Sequence, residues 1–231
     1  MFVGTGIISV TLFSYCYFTT VINVEAGIAA SLLYTSPVFV MLFSAVLFRE
    51  RITAQKIAAI VLTVSGVALV SGMLGSSALG ALDLIIGIGA GLFYSLYSIF
   101  GVYALRKYSS LTVTFYTFLL GTIGFLFMTN PIAIIEKTAS NPVVIPMEIG
   151  LALFNGLLPY LFYTIGLGHT DASVAGVLVA VEPLVGCLVG IFVFHESVNP
   201  AKLIGIALIL SAIVLLNIRL SHKSTAKEIP A

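Results

Sequence analysis

A single glutamate inside a long apolar segment is the residue of this sequence best suited to do chemistry. Glu182 lies in the motif Val181-Glu182-Pro183-Leu184, and no other charged residue occurs between positions 172 and 194. In a membrane helix a charged carboxylate costs about 2.5–3.5 kcal/mol on insertion scales, so it faces water or a partner. We expect Glu182 to lie near the middle of the membrane, where it faces a wet cavity or a partner, and to exchange a proton or contact a substrate. The alternative is a protonated carboxyl group that hydrogen-bonds a neighbouring helix for structure alone.

The composition supports a membrane setting for this glutamate. Of the 231 residues, 60% are hydrophobic and 8% are charged, whereas soluble domains have roughly 45–50% apolar and about 25% charged residues. The formal net charge of +1 excludes a strong field that would recruit nucleic acid. Cys16 and Cys187 both lie in apolar runs, so we predict buried thiols without a disulfide framework, a metal site or a cofactor. The expected partners are membrane lipid and a small-molecule substrate.

Eight apolar runs are long enough to cross a bilayer, whose core of about 30 Å takes roughly 20 helical residues. They cover residues 2–22, 27–48, 57–74, 82–105, 111–129, 148–167, 173–194 and 203–220. We therefore predict an all-α, polytopic membrane protein with eight transmembrane helices. If the amino terminus is cytoplasmic, all Lys and Arg residues except Lys137 and Lys202 lie on the inner side. The positive-inside rule then predicts that both termini lie in the cytoplasm.

A shift of 146 residues aligns two parts of the chain without a gap. The matched pairs are Tyr17 with Tyr163, Glu25 with Asp171, Pro37 with Pro183, Phe48 with Phe194, Glu50 with Glu196, Lys56 with Lys202, and Ser65 with Ser211. Because the shift spans five helices, an odd number, the two copies cross the membrane in opposite directions, as in the inverted repeats of secondary transporters. The second copy has two further helices at its front. The matching pair, about 67 residues, is absent from the first copy, so we expect a truncated gene model or a fragment rather than a naturally short protein.

These residues resemble a known family. The two repeat units, the run 29–50 with its Pro37, the motif Val181-Glu182-Pro183-Leu184 and the downstream His195-Glu196 are similar to EamA-type transporters of the drug/metabolite transporter superfamily. The likeness extends to Asn217, with an incomplete first repeat at 1–76, a complete second repeat at 79–220 and a cytoplasmic tail at 221–231. It implies a ten-helix carrier of the inner membrane that moves small metabolites, amino acids or drugs, often outward. It also implies a central cavity lined by the first, second, fourth, sixth and seventh runs, and it leaves the substrate open.

Prolines, aromatic residues and an asparagine are the other candidates for a substrate site. Pro37 and Pro183 occupy equivalent places in two inverted helices, and paired breaks of this kind are typical of a transporter site, although either proline alone could be an ordinary kink. Tyrosine rings can stack on planar substrates or hold cations. An asparagine in lipid needs a hydrogen-bond partner. These candidates are Tyr34, Tyr94, Tyr97, Asn155 and Tyr163, the last two on one helix stripe with Pro159. Tyrosines could instead lie at the membrane interface. Gly186, one turn after Glu182, either leaves room for a substrate or lets another helix pack closely.

The remaining charged residues are predicted to be structural. Glu25 and Asp171 begin helices and would accept backbone N–H bonds there, Glu50 and Lys56 belong to a solvated inner hairpin, and residues 130–147 form a surface loop. Metalloprotease, phosphate-loop and nucleophile-elbow motifs do not occur, so no enzyme is predicted. The predicted function is alternating-access transport, with efflux as the expected direction. The alternative is an inactive fragment or an accessory subunit that needs a partner, and the sequence leaves a homo-oligomer open.

Overall fold

The chain is helical throughout the part that the structure describes. The computed structural model describes residues 1–24, 26–71, 80–193, 195 and 199–225, with side chains as far as residue 216. These residues include no strand. Predictions for Glu25, Phe194, Glu196 and Lys227, and for the side chains of Asn217, Arg219 and Lys223, lie outside the described residues.

Five described spans are long and apolar enough to cross a membrane, and a sixth exists if one sharply bent helix pair counts as a single span. In chain order the helices are α1 (Gly4–Asn23), α2 (Ala26–Leu33), α3 (Ser36–Leu47), α4 (Ala54–Val70), α5 (Ala81–Leu105), α6 (Ser110–Leu126), α7 (Pro131–Ser140), α8 (Pro142–Leu167), α9 (Ala172–Leu178), α10 (Val181–Phe192) and α11 (Pro200–Thr225). The helices α2 and α3 form one span, as do α9 and α10, while α4 is apolar but shorter. The all-helical, polytopic prediction is confirmed, and the count of eight stays a prediction.

Both proline-containing spans are interrupted just before the proline. Residues 34–35 separate α2 from α3, and residues 179–180 separate α9 from α10. Pro37 and Pro183 therefore lie in the first turn of the helix that follows each break. A proline has no N–H group to donate to the carbonyl group one turn back, so a helix begins more readily with proline than it continues through it. At each kink expected from the sequence the helix is interrupted for two residues, and the two pieces still form one span.

The first break packs against glycines of α5. A Cβ atom built on Gly91 would lie 2.5 Å from Thr35 Oγ1 and 3.0 Å from the carbonyl oxygen of Leu32, and one on Gly87 would lie 2.3 Å from Leu32 Cδ1. A larger residue at either position would push the broken span away from α5. The Thr35 hydroxyl donates to the Leu32 carbonyl oxygen at 2.6 Å, which gives a carbonyl group at the break a hydrogen-bond partner.

The helices α4 and α11 pack as an antiparallel pair. Gly66 and Gly205 face each other, since a Cβ atom on Gly66 would lie 2.8 Å from the Gly205 carbonyl oxygen and one on Gly205 would lie 2.6 Å from that of Gly66. Near the start of α4, the Gln55 side-chain amide donates to the carbonyl oxygen of Leu215. Low numbers on one helix meet high numbers on the other, so the two helices run in opposite directions.

The connection after α6 is helical where a surface loop is expected. Within residues 130–147, α7 begins at Pro131 and bends 99° away from α6, and α8 begins at Pro142. The Asn130 side chain accepts a hydrogen bond from the N–H of Ala133 at 3.2 Å. An asparagine cap followed by proline in the first turn is a helix-start signal. The loop prediction is therefore wrong, because local capping decides the structure of this segment.

Candidate functional site

Glu182 lies in the first turn of α10, directly after the second break. Its backbone N–H donates to the Val179 carbonyl oxygen at 2.9 Å. The side chain is exposed, and its place near the middle of the membrane, facing a wet cavity or a partner, stays a prediction. Tyr34, at the first break, is 4% exposed and packs in one buried cluster with Ala180 and Leu184, which lie on either side of Glu182 in the chain. The two breaks thus meet next to Glu182.

Three more tyrosines lie in the wider neighbourhood of this carboxylate. Tyr17 of α1, Tyr94 of α5 and Tyr160 of α8 all lie within electrostatic range of Glu182. The Phe13 ring packs against two of them, with its centroid 5.7 Å from that of Tyr17 and 5.1 Å from that of Tyr94. Neither ion pair between described residues includes Glu182. The site therefore combines one carboxylate with phenol groups contributed by several spans.

Two of these tyrosines are not among the predicted site residues. Tyr17 is the repeat partner of Tyr163, and Tyr160 lies almost one helical turn before Tyr163. Both relations are visible in the sequence. The direction of each ring, however, depends on which helices are neighbours in space, and the order of residues along the chain does not give that.

Two predicted site tyrosines use their hydroxyl groups to join α5 to α8. The Tyr97 hydroxyl shares a hydrogen bond with the Thr164 hydroxyl at 2.6 Å, and the Tyr163 hydroxyl shares one with the Ser98 hydroxyl at 2.7 Å. Tyr97 is 4% exposed. These hydroxyl groups hold two helices together, whereas those of the other two predicted tyrosines lie close to Glu182.

The remaining predicted site residues are dispersed. Pro37 is buried, and Pro183 is half-buried next to Glu182. Asn155 is exposed on α8. Gly186, one turn beyond Glu182, has nothing within 4 Å of a Cβ atom built on it. The space beside α10 is therefore open at Gly186, and no close helix packing occurs there among the described residues.

The polar stripe expected on α8 does not form one face. The stripe from Asn155 to Tyr163 assumes α-helical spacing, but residues Leu151–Leu157 form a π-helix. A π-helix takes more residues per turn, so the side chains after it point in shifted directions. Asn155 and Pro159 are exposed, whereas Tyr163 is half-buried against α5.

A second polar cluster joins the hairpin between α3 and α4 to the start of α9. Lys56 Nζ lies 3.0 Å from Glu50 Oε2 and 3.1 Å from Asp171 Oδ2. Glu50 also accepts hydrogen bonds from the N–H of Ala172, at 3.1 Å, and from the Ser173 hydroxyl group. The side chains of Lys56 and Glu50 are 13% and 14% exposed, and that of Asp171 is 50% exposed. We call Glu50, Lys56 and Asp171 the ionic clamp.

The ionic clamp corrects two sequence-based expectations. Glu50 and Lys56 are mostly buried in contacts rather than solvated, and Asp171 makes no side-chain cap to its own helix. The acceptor at the start of α9 is instead Glu50, which lies 122 residues before Ala172. A carboxylate near a helix N-terminus is favoured by the helix dipole whichever segment supplies it. The correct pairing depends on a long-range contact that local spacing does not indicate.

The described residues contain no group of three or more His, Cys, Asp or Glu side chains that could hold a metal ion. Cys16 and Cys187 are half-buried rather than fully buried. The chemistry of the candidate site is therefore that of Glu182 and the tyrosines near it.

Comparison with known proteins identifies the family. The pattern of the EamA-like transporter family matches residues 1–72 and 82–218. An uncharacterized transporter of Archaeoglobus fulgidus is 30% identical over 199 residues, which cover 86% of this chain and 70% of that protein. A probable terminal-alkyne amino-acid exporter of Streptantibioticus cattleyicolor is 29% identical over 202 residues, which cover 86% and 66% of the two chains.

Two further similarities agree with this match. The threonine/homoserine exporter RhtA of Escherichia coli K12 is 24% identical over 221 residues, which cover 94% of this chain and 70% of that protein. A solved crystal structure has a TM-score of 0.73 at 17% identity and covers 92% of this chain and 75% of that one, which indicates a shared fold. The family pattern spans most of the sequence, and the chain therefore belongs to the EamA-like transporter family, a family of membrane transport proteins and not of enzymes.

Proposed function

We propose that this protein is a secondary transporter that moves a small metabolite outward across the cell membrane by alternating access. The observation that carries the proposal is the meeting of two interrupted spans at one carboxylate. Tyr34 lies at the first break and packs in one buried cluster with Ala180 and Leu184, between which Glu182 follows the second break. Interrupted helices provide polar backbone and side-chain groups inside a membrane, and transporters build substrate sites from them.

Packing between the two halves supports an inverted repeat. Under the shift of 146 residues, Gly66 corresponds to Ala212 and Gly205 corresponds to Ala59. Gly66 faces Gly205, and Ala59 and Ala212 are both fully buried in one apolar cluster. Exchanging the two copies therefore converts the Gly66–Gly205 pair into the Ala212–Ala59 pair. This is the relation that a two-fold axis between α4 and α11 would produce.

The two breaks are arranged in the same way. Tyr34 corresponds to Ala180 under the shift, and both belong to a single buried cluster with Leu184. A two-fold axis that passes between α4 and α11 and between the two breaks would lie in the plane of the membrane. It would relate two oppositely oriented units. We therefore propose eight crossing segments, which include α4 and the apolar part of α11, Pro200–Leu216. Both chain ends would then lie on the cytoplasmic side.

In the proposed cycle, the ionic clamp holds the cytoplasmic face closed. It ties the hairpin of the first half to the start of α9 in the second half through Lys56, Glu50 and Asp171. Opening this face requires Lys56 to separate from a carboxylate and Glu50 to release the start of α9. The conformation described here is then the one that is closed to the cytoplasm.

Similar proteins support the outward direction. The RhtA protein is named as a threonine/homoserine exporter, and the protein of Streptantibioticus cattleyicolor as a probable exporter of a terminal-alkyne amino acid. We extend the direction of flux to this chain as part of the proposal.

A metabolite-release experiment tests the function. Cells that produce the protein are loaded with a mixture of labelled small metabolites, and the external medium is analysed by mass spectrometry. We expect at least one solute to leave faster than from cells without the protein, and Glu182→Gln to abolish the difference at equal membrane abundance. Glu136→Gln, at an exposed position of α7, serves as the matched control. Identical release profiles with and without the protein would contradict the proposal.

One observation favours a second candidate, a subunit that works with a partner chain. The most apolar stretch of α8 has no buried residue, although helices of a transporter core normally pack on neighbours. A partner helix would cover this surface. Affinity purification from native membranes in a mild detergent distinguishes a transporter that works alone from an accessory subunit. An accessory subunit would copurify with a stoichiometric second chain that release activity requires.

A further inference from the structure

We propose that four exposed cations at the cytoplasmic end of the helices bind the phosphate headgroup of an anionic membrane lipid. We call them the basic rim: Arg49 and Arg51 lie in the hairpin after α3, and Arg106 and Lys107 follow α5. Both ion pairs of the described residues use Lys56 and include none of these four. The basic rim therefore carries four positive charges that no carboxylate in the described part of the chain neutralises.

An aromatic contact holds the two parts of the basic rim at the same end of the molecule. The guanidinium carbon of Arg106 lies 5.5 Å from the ring centroid of Phe48 and 5.1 Å from that of Tyr103. The two ring centroids are 5.0 Å apart. Because Phe48 directly precedes Arg49, this contact ties the end of α5 to the hairpin after α3.

The stacked guanidinium group is still available to a ligand. Arg106 is exposed, and a guanidinium group that packs on a ring face keeps the N–H groups along its edge free to donate. Two of these groups can donate to two phosphate oxygens at once. The rings therefore position a phosphate-binding side chain without occupying its donors.

Apolar side chains next to the basic rim favour a lipid over a free phosphate ion. Leu42, Val46 and Leu47 of α3 are 47%, 78% and 47% exposed, and they lie just before Arg49 in the chain. Each pair of cations follows directly on an apolar span, at the level where the hydrocarbon core of a bilayer meets the headgroups. A bound lipid would place its phosphate against the cations and an acyl chain along α3, whereas a soluble phosphate would use the charges alone.

The charge of the basic rim selects among lipids. A cluster of Lys and Arg beside membrane helices attracts anionic headgroups, and each cation contributes roughly a fivefold gain in affinity. A zwitterionic headgroup has no net charge, so it gains little from the same cluster. The positive-inside rule alone requires cations on this side of the membrane. It does not require an arginine stacked on two rings beside an exposed apolar helix face.

Native mass spectrometry of the purified full-length protein in a mild detergent tests the proposal. The protein is titrated separately with dioleoyl phosphatidylglycerol, with dioleoyl phosphatidylcholine and with soluble glycerol 3-phosphate. We expect phosphatidylglycerol to bind at least fivefold more tightly than phosphatidylcholine, and glycerol 3-phosphate to bind far more weakly than either lipid. This comparison uses the unmutated protein, so a misfolded variant does not weaken it.

Variants place the binding at the basic rim. Arg106→Gln should lower the affinity for phosphatidylglycerol about fivefold, and the double variant Arg49→Gln/Arg51→Gln should lower it at least tenfold. Lys137→Gln removes the same charge at an exposed position of α7, and it should leave the affinity within twofold.

Three results would overturn the inference. Equal affinity for the two lipids would remove the role of charge. An equal loss in Arg106→Gln and Lys137→Gln, or no loss in the double variant, would show that the basic rim is not the binding site. Binding of glycerol 3-phosphate as tight as that of the lipid would indicate a site for a soluble anion instead. Metabolite release is measured separately, so each of these results leaves the transporter proposal intact.

Discussion

Arg49 and His195 share an unusual backbone conformation, with φ angles of 55° and 53°. They stand 146 residues apart, which is the repeat shift, and each follows one of the two interrupted spans. In the described part of the chain, they are the only non-glycine residues with positive φ. The left-handed conformation costs roughly 1–2 kcal/mol for an ordinary residue. The same strained backbone conformation therefore follows both interrupted spans.

Replacing Arg49 by glycine should relieve this strain. Glycine adopts positive φ without a steric penalty, so we expect Arg49→Gly to be more stable than Arg49→Ala by about 1 kcal/mol. Arg51, two residues later and outside the left-handed region, is the control. There the order should reverse, because glycine loses more conformational freedom on folding. Thermal unfolding in detergent measures both pairs, and the same order at both positions would refute the strain at Arg49.

The two residues should also lie on opposite sides of the membrane. Because the repeat shift spans an odd number of crossings, Arg49→Cys is expected in the cytoplasm and His195→Cys outside. The test uses a membrane-impermeant maleimide on intact cells, with Cys16 and Cys187 first replaced by alanine. Only His195→Cys should react in intact cells, and both variants should react after permeabilisation. Labelling of both from the same side would rule out the inverted repeat and the transport cycle built on it.

Removal of Glu50 should weaken the closed state more than removal of Asp171. Glu50 is 14% exposed and has contacts to Lys56, Ala172 and Ser173, whereas Asp171 is 50% exposed. A hydrogen bond to a charged group contributes about 1.5–3 kcal/mol when it is shielded from water, and an exposed pair contributes about 0–1 kcal/mol. We expect Glu50→Gln to lower the unfolding midpoint by several degrees.

The accessibility of the cytoplasmic face provides the second readout of the clamp. A cysteine placed at Ser173 should react faster with maleimide in the Glu50→Gln background than in the Asp171→Asn background. Equal rates in both backgrounds would show that Glu50 does not hold this face closed.

The sequence predicts the apolar spans and the two proline breaks well, because span length and the missing proline N–H are local properties. It predicts long-range partners poorly. Asp171 has the right residue type and position for a cap, yet Glu50 from a distant hairpin supplies the acceptor. A π-helix in α8 likewise changes the direction of Asn155 in a way that regular spacing does not reveal. Local signals fix the elements, whereas contacts between spans decide which side chains reach Glu182.

Two tyrosine variants should separate the candidate site from the helix packing around it. Tyr97→Phe removes the hydroxyl bond to Thr164. Because Thr164 keeps its hydrogen bond to the Tyr160 carbonyl oxygen at 2.7 Å, the cost should be small, about 0.6 kcal/mol for such a bond in a membrane protein. Tyr34→Phe removes the hydroxyl group next to the second break, while the ring keeps its apolar contacts in the buried cluster. We expect both variants to keep the unfolding midpoint within a degree or two, Tyr34→Phe to reduce metabolite release severalfold, and Tyr97→Phe to leave release largely intact. If both variants lost release equally, or if only Tyr97→Phe did, the hydroxyl group of Tyr34 would have no specific role in transport.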